Sequence, residues 1–151
     1  MSNYEEWEAD ITRRAYQATA LALAFQAKGI TNVREIPLSQ WGTIAASLGH
    51  EEVGARTRAA TTAILDVREG RLTEKAAGSA GECKSYNTFR IAARIAAVLV
   101  AAGASNVEDI EAKTWRHARM VAGVSAPSEI SKVAAAGILA VSVAARTVGR
   151  N

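Results

Sequence analysis

Few side chains in this sequence suit catalysis or metal binding. The two histidines, His50 and His117, stand far apart in the chain, and no HExxH pair exists to seat a metal. Cys83 is the single cysteine, which excludes an internal disulfide and a cysteine zinc cage. Its thiolate would need a nearby base, and its neighbours Glu82 and Lys84 form no such motif. The acid pairs Glu51-Glu52 and Glu108-Asp109 stand at expected helix starts, where carboxylates complement the helix dipole. No GxGxxG or GxxxxGK[ST] loop is present to cradle a phosphate. The chain therefore reads as a non-enzymatic protein with no cofactor and no metal.

The basic residues say more. Lysine and arginine total 18 against 15 acids, a net charge of +3. Residues 1–11 hold Glu5, Glu6, Glu8 and Asp10 and no base, so the rest of the chain carries +7. Most of the cations are arginines, whose planar fork matches phosphate oxygens. They recur at helical spacing: Arg90 and Arg94 at i, i+4, Arg116 and Arg119 at i, i+3, with Arg56, Arg58 and Lys132 on a further helix of each half. Such rows form either a solvated helix face or the lining of a groove for a nucleic-acid backbone. Aromatic stacking platforms are scarce. Trp41 and Trp115 read as core, leaving Trp7, Tyr16 and Tyr86 for the surface, so base stacking is not the expected mode.

The elements that position these groups are helices. Alanine occurs 33 times and proline twice, which favours helix and disfavours strand, so the expected class is all-α. Slid along itself until Gly29 falls on Gly103, the sequence also places Asn32-Val33 on Asn106-Val107, Trp41 on Trp115 and Gly49 on Gly123, with no gap. Two tandem copies of a four-helix unit are expected to form one compact bundle. The division is an acidic N-terminal arm or helix start at 1–11, a first repeat at 12–70, a linker at 71–85 and a second repeat at 86–147. Within each copy the pieces are a long alanine-rich helix (Tyr4 to Lys28; Tyr86 to Ala102), a short helix capped by Asn32 or Asn106, a third from Ser39 to Leu48 or Lys113 to Ala122, and a fourth from Glu51 to Arg68 or Ala126 to Thr147. Gly70, Gly78 and Gly81 make the stretch between the copies the natural connector, with a short helix expected at Thr73 to Ala77.

Two segments, Ile95 to Ala102 and Val133 to Val141, are apolar nearly all round and need protein on every side. That requirement packs the two copies together. Their small residues also leave a self-association surface as the alternative use. Neither segment is long enough to span a bilayer, and the acidic first residues are no signal peptide, so the expected location is cytoplasmic, or a virion for a viral structural protein.

The order helix, Gly103-Ala104-Ser105-Asn106-Val107-Glu108-Asp109-Ile110, helix, Gly123-Val124-Ser125, helix resembles the helix-hairpin-helix modules of DNA repair and recombination proteins. The resemblance implies DNA phosphate held on backbone N–H groups at Gly123, Val124 and Ser125, and at Gly49 and His50 in the first copy. It departs from the family where Ser125 and Glu51 replace the second hairpin glycine. The functional expectation is a largely sequence-nonspecific binder of DNA or RNA backbone. Its contacts would come from Arg56, Arg58, Arg90, Arg94, Arg116, Arg119, Gly123, Val124, Ser125 and Lys132. The alternative is a self-assembling structural subunit, such as a viral coat or nucleocapsid protein.

Overall fold

The structure, a computed structural model, describes residues 3–50, 53–71, 73–106, 108, 110–124 and 128–149. Six helices form among them: α1 (Asn3–Ala27), α2 (Leu38–Ser47), α3 (Ala55–Arg68), α4 (Ala80–Ala101), α5 (Ala112–Ala122) and α6 (Glu129–Gly149). No strand occurs among the described residues. The all-α class holds. The count of eight helices is not confirmed: each half has three α-helices among the described residues, and the second half's expected short helix falls partly outside them.

The missing piece of the first half is the stretch after Gly29. Asn32 does not cap a helix there. Its Oδ1 accepts from the Arg34 N–H at 3.1 Å, and Ile36 N–H closes a turn on the Val33 carbonyl at 3.2 Å. With Pro37 only five residues on, no second helical turn can form, and Asn32 offers the backbone a turn instead. In the second half Asn106 makes the same bond to the Glu108 N–H at 2.9 Å, while Val107 and Asp109 lie outside the described residues. The short helix expected at Thr73 to Ala77 is also absent.

Helix ends follow one rule. Gly29, Gly49, Gly70, Gly103 and Gly123 have φ between 76 and 82°, the left-handed region that glycine enters without a Cβ clash. Each donates to the carbonyl three residues back, and the next residue donates to the one five back, which closes the orphan carbonyls of α1 to α5. The start of α4 is set by a capping box. Ser79 Oγ accepts from Glu82 N–H, and Glu82 reaches back to Ser79 N–H. This box begins α4 six residues before the expected Tyr86 and shortens the connector to 69–79.

Four helices make a ring. α1 packs on α3, α3 on α4, α4 on α6, and α6 on α1, while α2 lies on α1 and α5 on α4. Direction follows from side-chain neighbours. Arg14 and Arg56 line one cleft, and Gln26 binds both Arg68 and Glu69, at 2.6 and 2.9 Å, so α1 and α3 run the same way. Thr88 and Ile130 share the first end, and Val100 and Ser142 the second, so α4 and α6 run likewise. The short helices α2 and α5 are the return strokes.

The core at the ring's centre includes Leu21, Phe25, Ile64, Phe89, Ile95, Leu99 and Leu139, all fully buried or nearly so. Trp41 is buried and meets Phe25 edge-on, with ring centroids 4.9 Å apart. Trp115 is only half-buried. Tyr86, read as a surface group, is buried. α1 and α6 approach closely: a Cβ on Gly137 would lie 2.6 Å from the Ala15 Cβ. The acidic residues 3–11 form the opening turns of α1 and not a detached arm, and Ile11 is part of the core.

Candidate nucleic-acid interface

Three of the expected cations converge. α5 carries Arg116 and Arg119 on one face, and the first turn of α6 brings Lys132 beside them. Together with Ala112 and Trp115 they line an open cleft of about 450 Å³. Lys132 pairs with Glu129 at 3.2 Å across one helical turn, an exposed contact of small energetic weight. Arg116 and Arg119 have no carboxylate partner among the described residues. The half-buried indole of Trp115 offers this cleft an aromatic wall.

The other expected residues go elsewhere. Arg56, at the start of α3, lies in a separate cleft with Arg14 and Lys84. Arg58 Nη1 donates to the Val53 carbonyl at 2.6 Å and braces the loop before α3. Arg90 donates to the Glu74 carbonyl at 2.9 Å and lies over the Tyr86 ring, 5.5 Å from its centroid. Arg94 is half-buried on α4 and engaged in the fold. Arg58, Arg90 and Arg94 therefore do not join the α5–α6 cleft.

The backbone donors named by the resemblance are committed. Gly123 N–H donates to the Met120 carbonyl at 3.1 Å and Val124 N–H to the Arg119 carbonyl at 3.0 Å. In the first half, Gly49 and His50 N–H groups donate to Ala46 and Ala45. Each N–H makes one good bond, so these helix ends keep no spare donor for a phosphate. Ser125, Glu51 and Glu52 lie outside the described residues, as do Ala126 and Pro127.

A polar centre that sequence reasoning missed sits between α3, α4 and the two long loops. The Asp66 side chain is fully buried. Arg34 grips it in a fork, Nη1 to Oδ1 at 2.9 Å and Nη2 to Oδ2 at 2.5 Å. Arg71 Nε donates to Oδ1 at 2.8 Å, and the Tyr86 hydroxyl donates to Oδ2. Burial pushes the Asp66 carboxyl up, but the bonds from Arg34, Tyr86 and Arg71 outweigh it and hold it below the usual carboxylate range. The Tyr86 phenol is pushed up to about 12, by burial and then by its bond to Asp66. Every lone pair of the acid faces a donor, which marks a structural clamp. The one signal in the sequence is an acid inside the apolar run Ala63-Ile64-Leu65-Asp66-Val67.

No protein-family model, curated protein or solved structure matches the chain. No helix among the described residues is long and apolar enough to cross a membrane.

Proposed function

We propose that this chain is a non-enzymatic protein that binds the phosphate backbone of DNA or RNA without marked sequence preference, through the α5–α6 cleft. The carrying observation is the convergence of Arg116, Arg119 and Lys132 on one open surface beside Trp115. Two arginine forks without carboxylate partners are suited to bidentate phosphate contacts, and these vary little with base identity. The helix-hairpin-helix likeness enters this reading only through the helix order, since the phosphate contacts here belong to side chains. The two halves, α1 to α3 and α4 to α6, are copies of one three-helix unit in this reading. Their starts Leu38 and Ala112, and Ala55 and Glu129, and their ends Ala27 and Ala101, are all separated by the same interval as Gly29 and Gly103. Their packing partners exchange in the same way.

The test is fluorescence anisotropy with a labelled oligonucleotide at fixed low salt. Arg116→Gln with Arg119→Gln is expected to weaken binding at least tenfold, while Arg90→Gln owes any effect to lost stability. Equal affinity of the double variant and the parent protein contradicts the assignment.

A second reading, a self-assembling structural subunit, is favoured by the large exposed apolar side chains. Met120 is 76% exposed and Leu38 67%, on the return helices α5 and α2, and Val121 and Leu48 are exposed as well.

A further inference from the structure

The first end of the ring holds a cleft of about 260 Å³ between the opening turns of α1 and α4. It is lined in equivalent pairs from the two halves: Asp10 with Lys84, Arg14 with Thr88, Arg56 with Ile130, each separated by the repeat interval. The cations therefore do not follow from the matched positions, because none of the three has a basic counterpart. They come from both halves to line one cleft.

Three features set this group apart from an ordinary solvated face. Arg14 is half-buried, and Arg14, Arg56 and Lys84 have no ion-pair partner among the described residues. The one lining carboxylate, Asp10, pairs with Arg13 at 3.2 Å. Burial and then the neighbouring Arg56 both disfavour the charged form of Arg14, and Asp10 does not make up the difference. The Arg56 guanidinium is also seated over Gly81, where a Cβ would come within 2.8 Å of its Nε. Any larger residue at 81 would push Arg56 out of this place. Like charges brought together in a half-enclosed space oppose folding unless an anion neutralises them. The rest of the wall is mixed: Ile11, Phe89 and Ile130 are apolar, and Ser85 and Thr88 bring hydroxyl groups.

We infer that this cleft is a binding site for a small phosphate-class dianion, inorganic phosphate or a phosphomonoester of a small aromatic alcohol, held by Arg14, Arg56 and Lys84. Its volume lies just below the range of small-molecule pockets and excludes a duplex. It is distinct from the α5–α6 cleft and does not depend on that surface binding nucleic acid. The apolar part of the wall, Ile11, Phe89 and Ile130, gives the ester the advantage over the free ion.

The experiment is thermal unfolding of the intact chain at constant ionic strength, with chloride replaced stepwise by inorganic phosphate or phenyl phosphate. Phosphate should raise Tm saturably, by about 3–6 °C at ten times its Kd for a chain of this size. Phenyl phosphate should saturate at a lower concentration. Arg56→Gln should abolish the response, and the exposed-site variant Lys84→Gln should weaken it at least fivefold in Kd. In chloride alone Arg56→Gln should melt no lower than the parent protein, since it removes repulsion. Arg116→Gln with Arg119→Gln should leave the response intact, which separates this site from the nucleic-acid surface. No saturable rise, or the same rise in Arg56→Gln and Lys84→Gln as in the parent protein, overturns the site.

Discussion

Asp66 binds three donors that come from three segments: Arg34 from the loop after α1, Arg71 from the connector and Tyr86 from α4. Arg71 also donates to the Thr31 carbonyl, so loop and connector are tied to each other as well. Removing the acid leaves Arg71 partly buried without a counter-charge and Arg34 with only the longer contact to Glu74 at 3.9 Å. Asp66→Ala should cost about 3–5 kcal/mol, read from urea unfolding. The carboxyl is held below its ordinary range, so its stabilisation is complete above about pH 4, where an unfolded aspartate ionises. It is lost as pH falls through the lower folded value. The Tyr86 phenol runs the other way. Its raised value means that the stabilisation is complete below about pH 10 and disappears as pH climbs through about 12. Phenolate absorbance should show Tyr86 ionising late, and Asp66→Asn should bring that step forward.

At the scale of elements, two glycines inside helices should respond in opposite directions. Gly137 faces Ala15 across the α1–α6 contact with no room for a Cβ. Gly137→Val should destabilise by about 1–3 kcal/mol through overpacking. Gly42 sits inside α2, exposed, and a methyl group placed there would meet nothing within 4 Å. Gly42→Ala should stabilise by roughly 0.5–1 kcal/mol, because only backbone entropy and helix propensity change. Denaturant midpoints check both.

Helix ends were legible from the sequence because Gly29, Gly49, Gly103 and Gly123 act locally. The start of α4 was not, although Ser79-x-x-Glu82 is a capping-box pattern, because Gly78 and Gly81 beside it read as linker. Gly81 serves instead to admit Arg56. The Asn32 turn shows the opposite case: the residue type that caps helices also closes turns, and the nearness of Pro37 decides between them.

For the whole molecule, the ring of α1, α3, α4 and α6 explains which site residues could be foreseen. Arg116 and Arg119 are neighbours on one helix, and their shared face follows from spacing. Lys132 joins them only through the packing of α5 and α6 against α4 and its surroundings. Arg14, Arg56 and Lys84 meet across three helices, and the partners of Asp66 lie 5 to 32 residues away, so neither group has a periodic signature. The acidic turns of α1 belong to the bundle, so their charge should be tested by substitution and not by deletion. Glu6→Gln with Glu8→Gln, both at exposed positions, should strengthen nucleic-acid binding modestly at low salt by removing like-charge repulsion. Self-association through Leu38 and Met120 would appear as a mass that rises with concentration, and Met120→Lys should suppress it.

The central claim is that Arg116 and Arg119 contact backbone phosphate. Its most direct measurement is the salt dependence of anisotropy-derived affinity for a labelled duplex, compared between the parent protein and Arg116→Gln with Arg119→Gln. Each phosphate contact contributes a log–log slope of about −0.9, so the double variant should lose up to about 1.8 of the parent slope while its fold is unchanged by circular dichroism. An unchanged slope, or no binding by the parent protein at low salt, contradicts the account.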